Sequence, residues 1–112
     1  MARGPKADRP TDRVSHRSLL VRHNAAAGRF EADVEGGIAH ADYRMDGPVM
    51  RIVHTEVPIA AEGQGVAGQI VRAALEHARR HGLRVQPLCG YVRSYMSRHP
   101  ETHDLLPAGA GN

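Results

Sequence analysis

The stretch Val49-Met50-Arg51-Ile52-Val53-His54-Thr55-Glu56-Val57-Pro58, followed by Glu62-Gly63-Gln64-Gly65 and then Val66 to His81, decides the fold. Its first half is apolar on both faces, the pattern of a central strand. Period-2 alternation puts Met50 and Ile52 on a face that continues into His54 and Glu56. A buried strand that turns polar at one end is where a site is expected. Pro58 closes the strand. Beyond the glycines, Val66, Ile70, Val71, Ala74, Leu75 and Ala78 recur at helical spacing, with Arg72, Glu76, Arg79 and Arg80 to the sides and back. Gly82 is a helix stop. Arg84 to Leu88 reads as a further strand, and a strand–helix–strand crossover makes that pair parallel.

Working outward, Arg29 to Glu35 alternates cleanly, with Phe30, Ala32 and Val34 on one side and Arg29, Glu31, Asp33 and Glu35 on the other. Gly36-Gly37 makes a hairpin turn into a strand from Ile38 to Arg44, with Ala39, Ala41 and Tyr43 on one face. Asp46-Gly47-Pro48 turns the chain into the central strand. Leu19-Leu20-Val21 reads as a short first strand ahead of the turn Asn24 to Gly28. Tyr91 to His99 is a short helix or turn ended by Pro100. The fold class is α/β (α+β): a mixed, mostly antiparallel sheet, one long helix packed on it and a short C-terminal helix. Residues 1–17, with five arginines and lysines among glycine and prolines, read as a disordered basic arm. Residues 18–106 are the single domain, and 107–112 a flexible tail.

The chain has 112 residues, 41% of them hydrophobic, enough for one small core of Val, Ile, Leu, Ala and Met. Cys89 is its one cysteine, so no internal disulfide forms, which fits a reducing compartment; the expected location is cytoplasmic. No apolar run reaches the ~20 residues that cross a bilayer, so no membrane partner is expected. The net charge of +3 suits an anionic ligand. With no Trp, one Phe and three Tyr, base-stacking modes of nucleic-acid binding are disfavoured. His77 and His81, four apart on the helix, and His99 and His103 show no metal-ligand pattern, and no metal is expected.

The glycine turn at Glu62 to Ala67 offers chemistry. Gly63 and Gly65 adopt backbone angles closed to other residues and let a ligand approach the main chain. The first helical N–H groups lack partners within the helix, and the dipole adds partial positive charge. Together these suit a pyrophosphate. It is neither a Walker loop nor a complete Gly-x-Gly-x-x-Gly; a tight turn before a helix is the plainer alternative.

His54-Thr55-Glu56-Val57-Pro58, the Gly63/Gly65 turn and helix, Pro87-Leu88-Cys89-Gly90-Tyr91 and His99-Pro100-Glu101 form an ordered series. From Val21 to about Leu106 it resembles the GNAT (Gcn5-related N-acetyltransferase) superfamily, in its short N-acetyltransferase-domain-like branch. The resemblance implies a minimal GNAT fold over 18–106, with acetyl-CoA as cofactor. It implies that the pantetheine arm pairs with backbone near Thr55, Glu56 and Val57. It also implies that the pyrophosphate sits on the amides of Gly63, Gln64, Gly65, Val66 and Ala67, with Glu62, Cys89 and Tyr91 beside the cofactor. The superfamily pattern opens with Gln or Arg where this chain has Glu62, which brings no donor of its own.

Acetyl transfer to an amine needs a proton acceptor and a polarised carbonyl. Glu56 and His54 at the polar strand end are candidate bases, and the resemblance places a catalytic carboxylate at Glu56; the alternatives are a solvated carboxylate and a structural histidine. Cys89 either carries the acetyl group or packs beside the CoA sulfur. Tyr95 is where such enzymes place a tyrosine that protonates the departing thiolate, with Tyr91 its neighbour; both could instead simply cover the core. The leading function is N-acetyl transfer from acetyl-CoA to an amine (a small molecule, a protein lysine or an N-terminus) by direct attack in a ternary complex. The alternative is a CoA-binding module with little or no catalysis, a sensor or partner-binding protein; a third reading has the basic arm on nucleic acid. The basic balance favours an acidic acceptor region. The expected assembly is a monomer or weak homodimer.

Overall fold

The computed structural model describes residues 18–108. Five strands lie in one sheet in chain order. They are β1 (Arg22–Asn24), β2 (Arg29–Val34), β3 (Gly37–Asp46), β4 (Val49–Glu56) and β5 (Arg84–Pro87). The first four pair antiparallel, whereas β4 and β5 run parallel. Helix α1 (Val66–Arg80) forms the crossover between them, and α2 (Gly90–Arg98) follows β5. Short 3-10 turns span Ile59–Ala61 and Pro100–Leu105. The basic arm expected over 1–17 and the end of the tail from 109 lie outside the described residues.

The core lies between the sheet and α1. Val66, Ile70, Val71, Ala74, Leu75 and Ala78 are all buried along one helix stripe. They meet Phe30 and Ala32 from β2, Ala39 and Ala41 from β3, Met50 and Ile52 from β4, and Val85 from β5. Each large aliphatic side chain buried here contributes about 1.5–3 kcal/mol. Short alanines on β3 let the helix sit close to the sheet. Gly82, at φ 68°, turns the chain out of α1, as expected of a glycine just past a helix end.

The first strand begins at Arg22 rather than at Leu19. The Leu19 amide donates to Gln69 Oε1 of α1 at 2.8 Å, so the chain runs over the helix before it joins the sheet. Leu19 and Val21 still pack on the core, while Leu20 is exposed.

One larger difference matters for function. Asp42 pairs with His54, but Tyr43 pairs with Ile52, so Val53 is an extra residue on β4: a β-bulge. The bulge reverses the alternation beyond it. Met50 and Ile52 pair with Met45 and Tyr43, and Thr55 pairs with the buried Ala41, so Thr55 continues the face that Met50 and Ile52 begin. His54 and Glu56 pair with Asp42 and His40 on the other face. They therefore do not share the face of Met50 and Ile52 that strict alternation assigned them.

Candidate functional site

Beyond the bulge, β4 parts from β5. The parallel ladder covers only Val49 to Ile52 against Arg84 to Pro87. The Leu88 and Cys89 amides both donate to the Ile52 carbonyl, at 3.0 and 3.1 Å, and α2 then carries the chain away. A gap opens between the strands, bordered by Val53 to Glu56 on one side and Cys89 on the other.

A cavity of about 350 Å³ lies against this gap. Thr55, Glu56 and Val57 form its strand wall, Ala61 to Gly63 and Gly65 to Ala67 its glycine-turn wall, and Tyr91 its α2 edge. Gly63 and Gly65 have φ of 80° and 75°, the left-handed region that favours glycine. Gly65 is the N-cap of α1; no side chain caps the helix, and no acidic residue lies in its first turn. The intrahelical bonds begin with the Gln69 amide donating to the Gly65 carbonyl at 3.3 Å. The amides of Val66, Ala67 and Gly68 therefore stand at a 15-residue helix's positive end, free to meet an anion. The loop is braced from behind, because a Cβ on Gly36 of the β2–β3 turn would come within 3.1 Å of Ala60 Cβ.

Cys89 is the N-cap of α2, with Sγ 3.5 Å from Thr55 Oγ1 across the gap. Burial pushes its thiol pKa up. The Thr55 hydroxyl and the N–H groups of Val92, Tyr91 and Thr55 outweigh that effect, and the net position is below the ordinary thiol value. Donors aimed at the sulfur favour its charged form.

The sequence-selected residues divide into groups. Thr55, Val57, Glu62, Gly63, Gly65, Val66, Ala67 and Tyr91 share the cavity, and Cys89 meets Thr55 at its edge. Gln64 lines a smaller depression beside Val66 and Gln69. Glu56 contributes to the cavity wall, yet its carboxylate turns to the opposite face, where Oε1 lies 3.1 Å from His54 Nε2. Tyr95 is elsewhere: it lines a separate cavity of about 280 Å³ with Arg72, Glu76 and His99, and its ring stacks on His99 at 4.1 Å. Tyr91 is thus the tyrosine at the glycine turn. Among the described residues no group of three or more His, Cys, Asp or Glu could hold a metal ion, and no helix is long and apolar enough to cross a membrane.

Sequence reasoning passed over His40, Asp42 and Arg29, which join Glu56 and His54 on the far face. His40 Nδ1 is 2.8 Å from Asp42 Oδ1, and Arg29 Nε is 3.2 Å from the same oxygen. The signal was present: His40-Ala41-Asp42 spaces two chemically able residues by one small one on a strand.

Three comparisons bear on this architecture. Residues 29–105 match the family described as GCN5-related N-acetyl-transferase. Protein NATD1 of Bos taurus is 29% identical over 103 residues, covering 89% of this chain and 91% of that one. Protein NATD1 of Homo sapiens is 33% identical over 85 residues, covering 73% and 75%. The solution structure of a GCN5-like protein from Staphylococcus aureus superposes with a TM-score of 0.61 at 20% identity, covering 80% of this chain and 89% of that one, which shows a shared fold. The parted strands, the glycine turn at the helix start and these matches together establish that the chain belongs to the GCN5-related N-acetyltransferase family.

Proposed function

We propose that this chain is an acetyl-CoA-dependent N-acetyltransferase that moves an acetyl group to an amine by direct attack in a ternary complex. The observation that carries the reading is the juxtaposition of an uncapped helix start with parted strands in one cavity of about 350 Å³. The amides of Gly63 to Ala67 hold the pyrophosphate. Thr55, Glu56 and Val57 present backbone to the pantetheine arm, and Cys89 packs beside the thioester. Glu56, steadied by His54, takes the acceptor's proton, and Tyr91 or Tyr95 returns one to the departing thiolate. Residues 18–106 form the acting domain, working in the cytoplasm as a monomer or weak homodimer.

A second reading, a CoA-binding module with little catalysis, draws support from Tyr95, which lines a different cavity from Thr55 and Tyr91. It keeps the cofactor site and drops the proton-transfer roles.

Titration calorimetry with acetyl-CoA and with CoA tests the shared premise. The expected result is binding by the wild type and its loss in Gly65→Asp, whose carboxylate would stand where the phosphates dock. Gly65→Asn tolerates the same left-handed backbone without charge and is expected to keep part of the affinity. A wild type that binds neither ligand overturns the proposal.

A further inference from the structure

The chain's positive charge and its proposed phosphate site lie in different parts of the sequence. Residues 18–112 hold ten arginines against ten acidic residues, so the net charge of +3 belongs to residues 1–17. There Arg3, Lys6, Arg9, Arg13 and Arg17 outnumber Asp8 and Asp12. The cavity at the glycine turn has the opposite balance: among the described residues that line it none is basic, and two, Glu56 and Glu62, are acidic. Arg72, the first basic residue of α1, lines other depressions and donates to Glu76 at 3.1 Å. Arg93 of α2 donates to the Leu88 carbonyl at 2.7 Å. The lining residues therefore meet a pyrophosphate and a ribose phosphate with helix amides and their partial charge alone.

The path of the chain ahead of β1 connects the two. The Leu19 amide donates to Gln69 Oε1, and the His23 ring meets the His77 ring. From Leu19 to His23 the chain thus runs along α1 toward its C-terminal end. The helix rises about 12 Å between Gln69 and His77. Nearly extended chain from Leu19 to His23 spans about 13 Å, which matches. Prolonged backward by two residues, that line arrives level with Gly65. Leu19 also shares a depression with Gln64 and Val66, and Val66 lines the cavity as well. We propose that residues 1–17 complete the cofactor site, with Arg17 and Arg13 laid over the glycine turn and paired with the phosphates of CoA. The proposal rests on the acetyl-CoA reading above. Arginine suits the task because its planar fork pairs two phosphate oxygens at once. Arg17 stands two residues from the Leu19 anchor and Arg13 six, a reach of up to about 20 Å of extended chain. The two guanidinium groups supply the cations that the cavity lacks and offset the repulsion of Glu62.

Calorimetry with CoA on the full chain tests this with two pairs of substitutions, Arg13→Gln with Arg17→Gln and, as the distant control, Arg3→Gln with Lys6→Gln. The near pair is expected to weaken CoA binding on the order of 10-fold and to make the affinity less sensitive to salt. The distant pair is expected to change it by no more than about twofold. Trypsin gives a second reading that needs no variant. Saturating CoA is expected to slow cleavage of the wild type after Arg13 and Arg17, followed by mass spectrometry, and to leave cleavage after Arg3 unchanged. A near pair that binds CoA as the wild type does, or unprotected bonds at Arg13 and Arg17, would overturn the seated arm while leaving the glycine-turn site intact. Equal losses from both pairs would also overturn it, because they would mean a diffuse field rather than two placed arginines. A wild type that does not bind CoA sinks this inference together with the acetyl-CoA reading.

Discussion

At the scale of single residues, Cys89 shows how local donors decide reactivity. A half-buried thiol is ordinarily harder to ionise, yet Thr55 and the first amides of α2 reverse the balance. Alkylation by iodoacetamide proceeds through the thiolate. Its rate is therefore expected to rise with pH through a midpoint below the ordinary value of a free cysteine. Thr55→Val, which removes the hydroxyl 3.5 Å from the sulfur, is expected to move that midpoint upward. A wild-type midpoint at or above the ordinary value would contradict the donor arrangement. Cys89, Thr55 and the two glycines were legible in the sequence because their meaning is local: a polar strand end, a glycine pair before a helix, a lone cysteine after a strand. The spacing of His40 and Asp42 was local too, but their place beside Glu56 and His54 was not legible, because those residues lie 16 and 12 positions further along the chain and only the β3–β4 register brings the four together.

At the scale of elements, α1 was nearly complete in the sequence, since its apolar stripe and its stopping glycine are repeated local signals. Strand β4 was legible as an element and misleading in its facing. Alternation assumes an unbroken pleat, and the extra residue Val53 has no signature in side-chain type. That single bulge moves Thr55 to the helix face and His54 and Glu56 away from it. In α1 itself, Gly68 is a helical glycine with ordinary backbone angles, unlike Gly65. A Cβ there would stand 3.4 Å from Tyr91 Oη and 3.8 Å from Tyr95 Cε2, both ordinary contacts. Gly68→Ala is therefore expected to stabilise the fold by roughly 0.5–1 kcal/mol through helix propensity, raising Tm by several degrees. A lowered Tm in a calorimetric scan would mean that α2 cannot accept the added methyl, and that the two tyrosines press on α1 more tightly than these distances imply.

At the scale of the whole molecule, the sheet's outer strand is fastened to the end of α1 by aromatic and imidazole rings. His23 of β1 stacks on Phe30 at 4.3 Å and meets His77 of α1 at 4.5 Å; His77 in turn lies 4.2 Å from His81. His23 Nε2 is also 2.6 Å from Tyr43 Oη. Burial lowers the His23 pKa, and the charge of His81 adds to it. Burial likewise lowers the His77 pKa, with His23, His81 and Arg80 contributing. The folded state thus disfavours the protonated rings, while the unfolded chain takes up protons at the ordinary value near 6.5. Stability from these groups is complete above that value and falls as pH drops below it toward the folded-state values. The carboxylates held low by arginines, Asp33 by Arg22 and Asp104 by Arg79, act with the same sign but only in more acidic solution, below their ordinary 3.8. The urea midpoint is accordingly expected to decline between pH 7.5 and pH 5, and His77→Leu, which removes the central ring's charge, is expected to flatten that decline. A midpoint that holds constant across this window in the wild type, or falls as steeply in His77→Leu, would show that the rings bear their protons without loosening β1 from the helix.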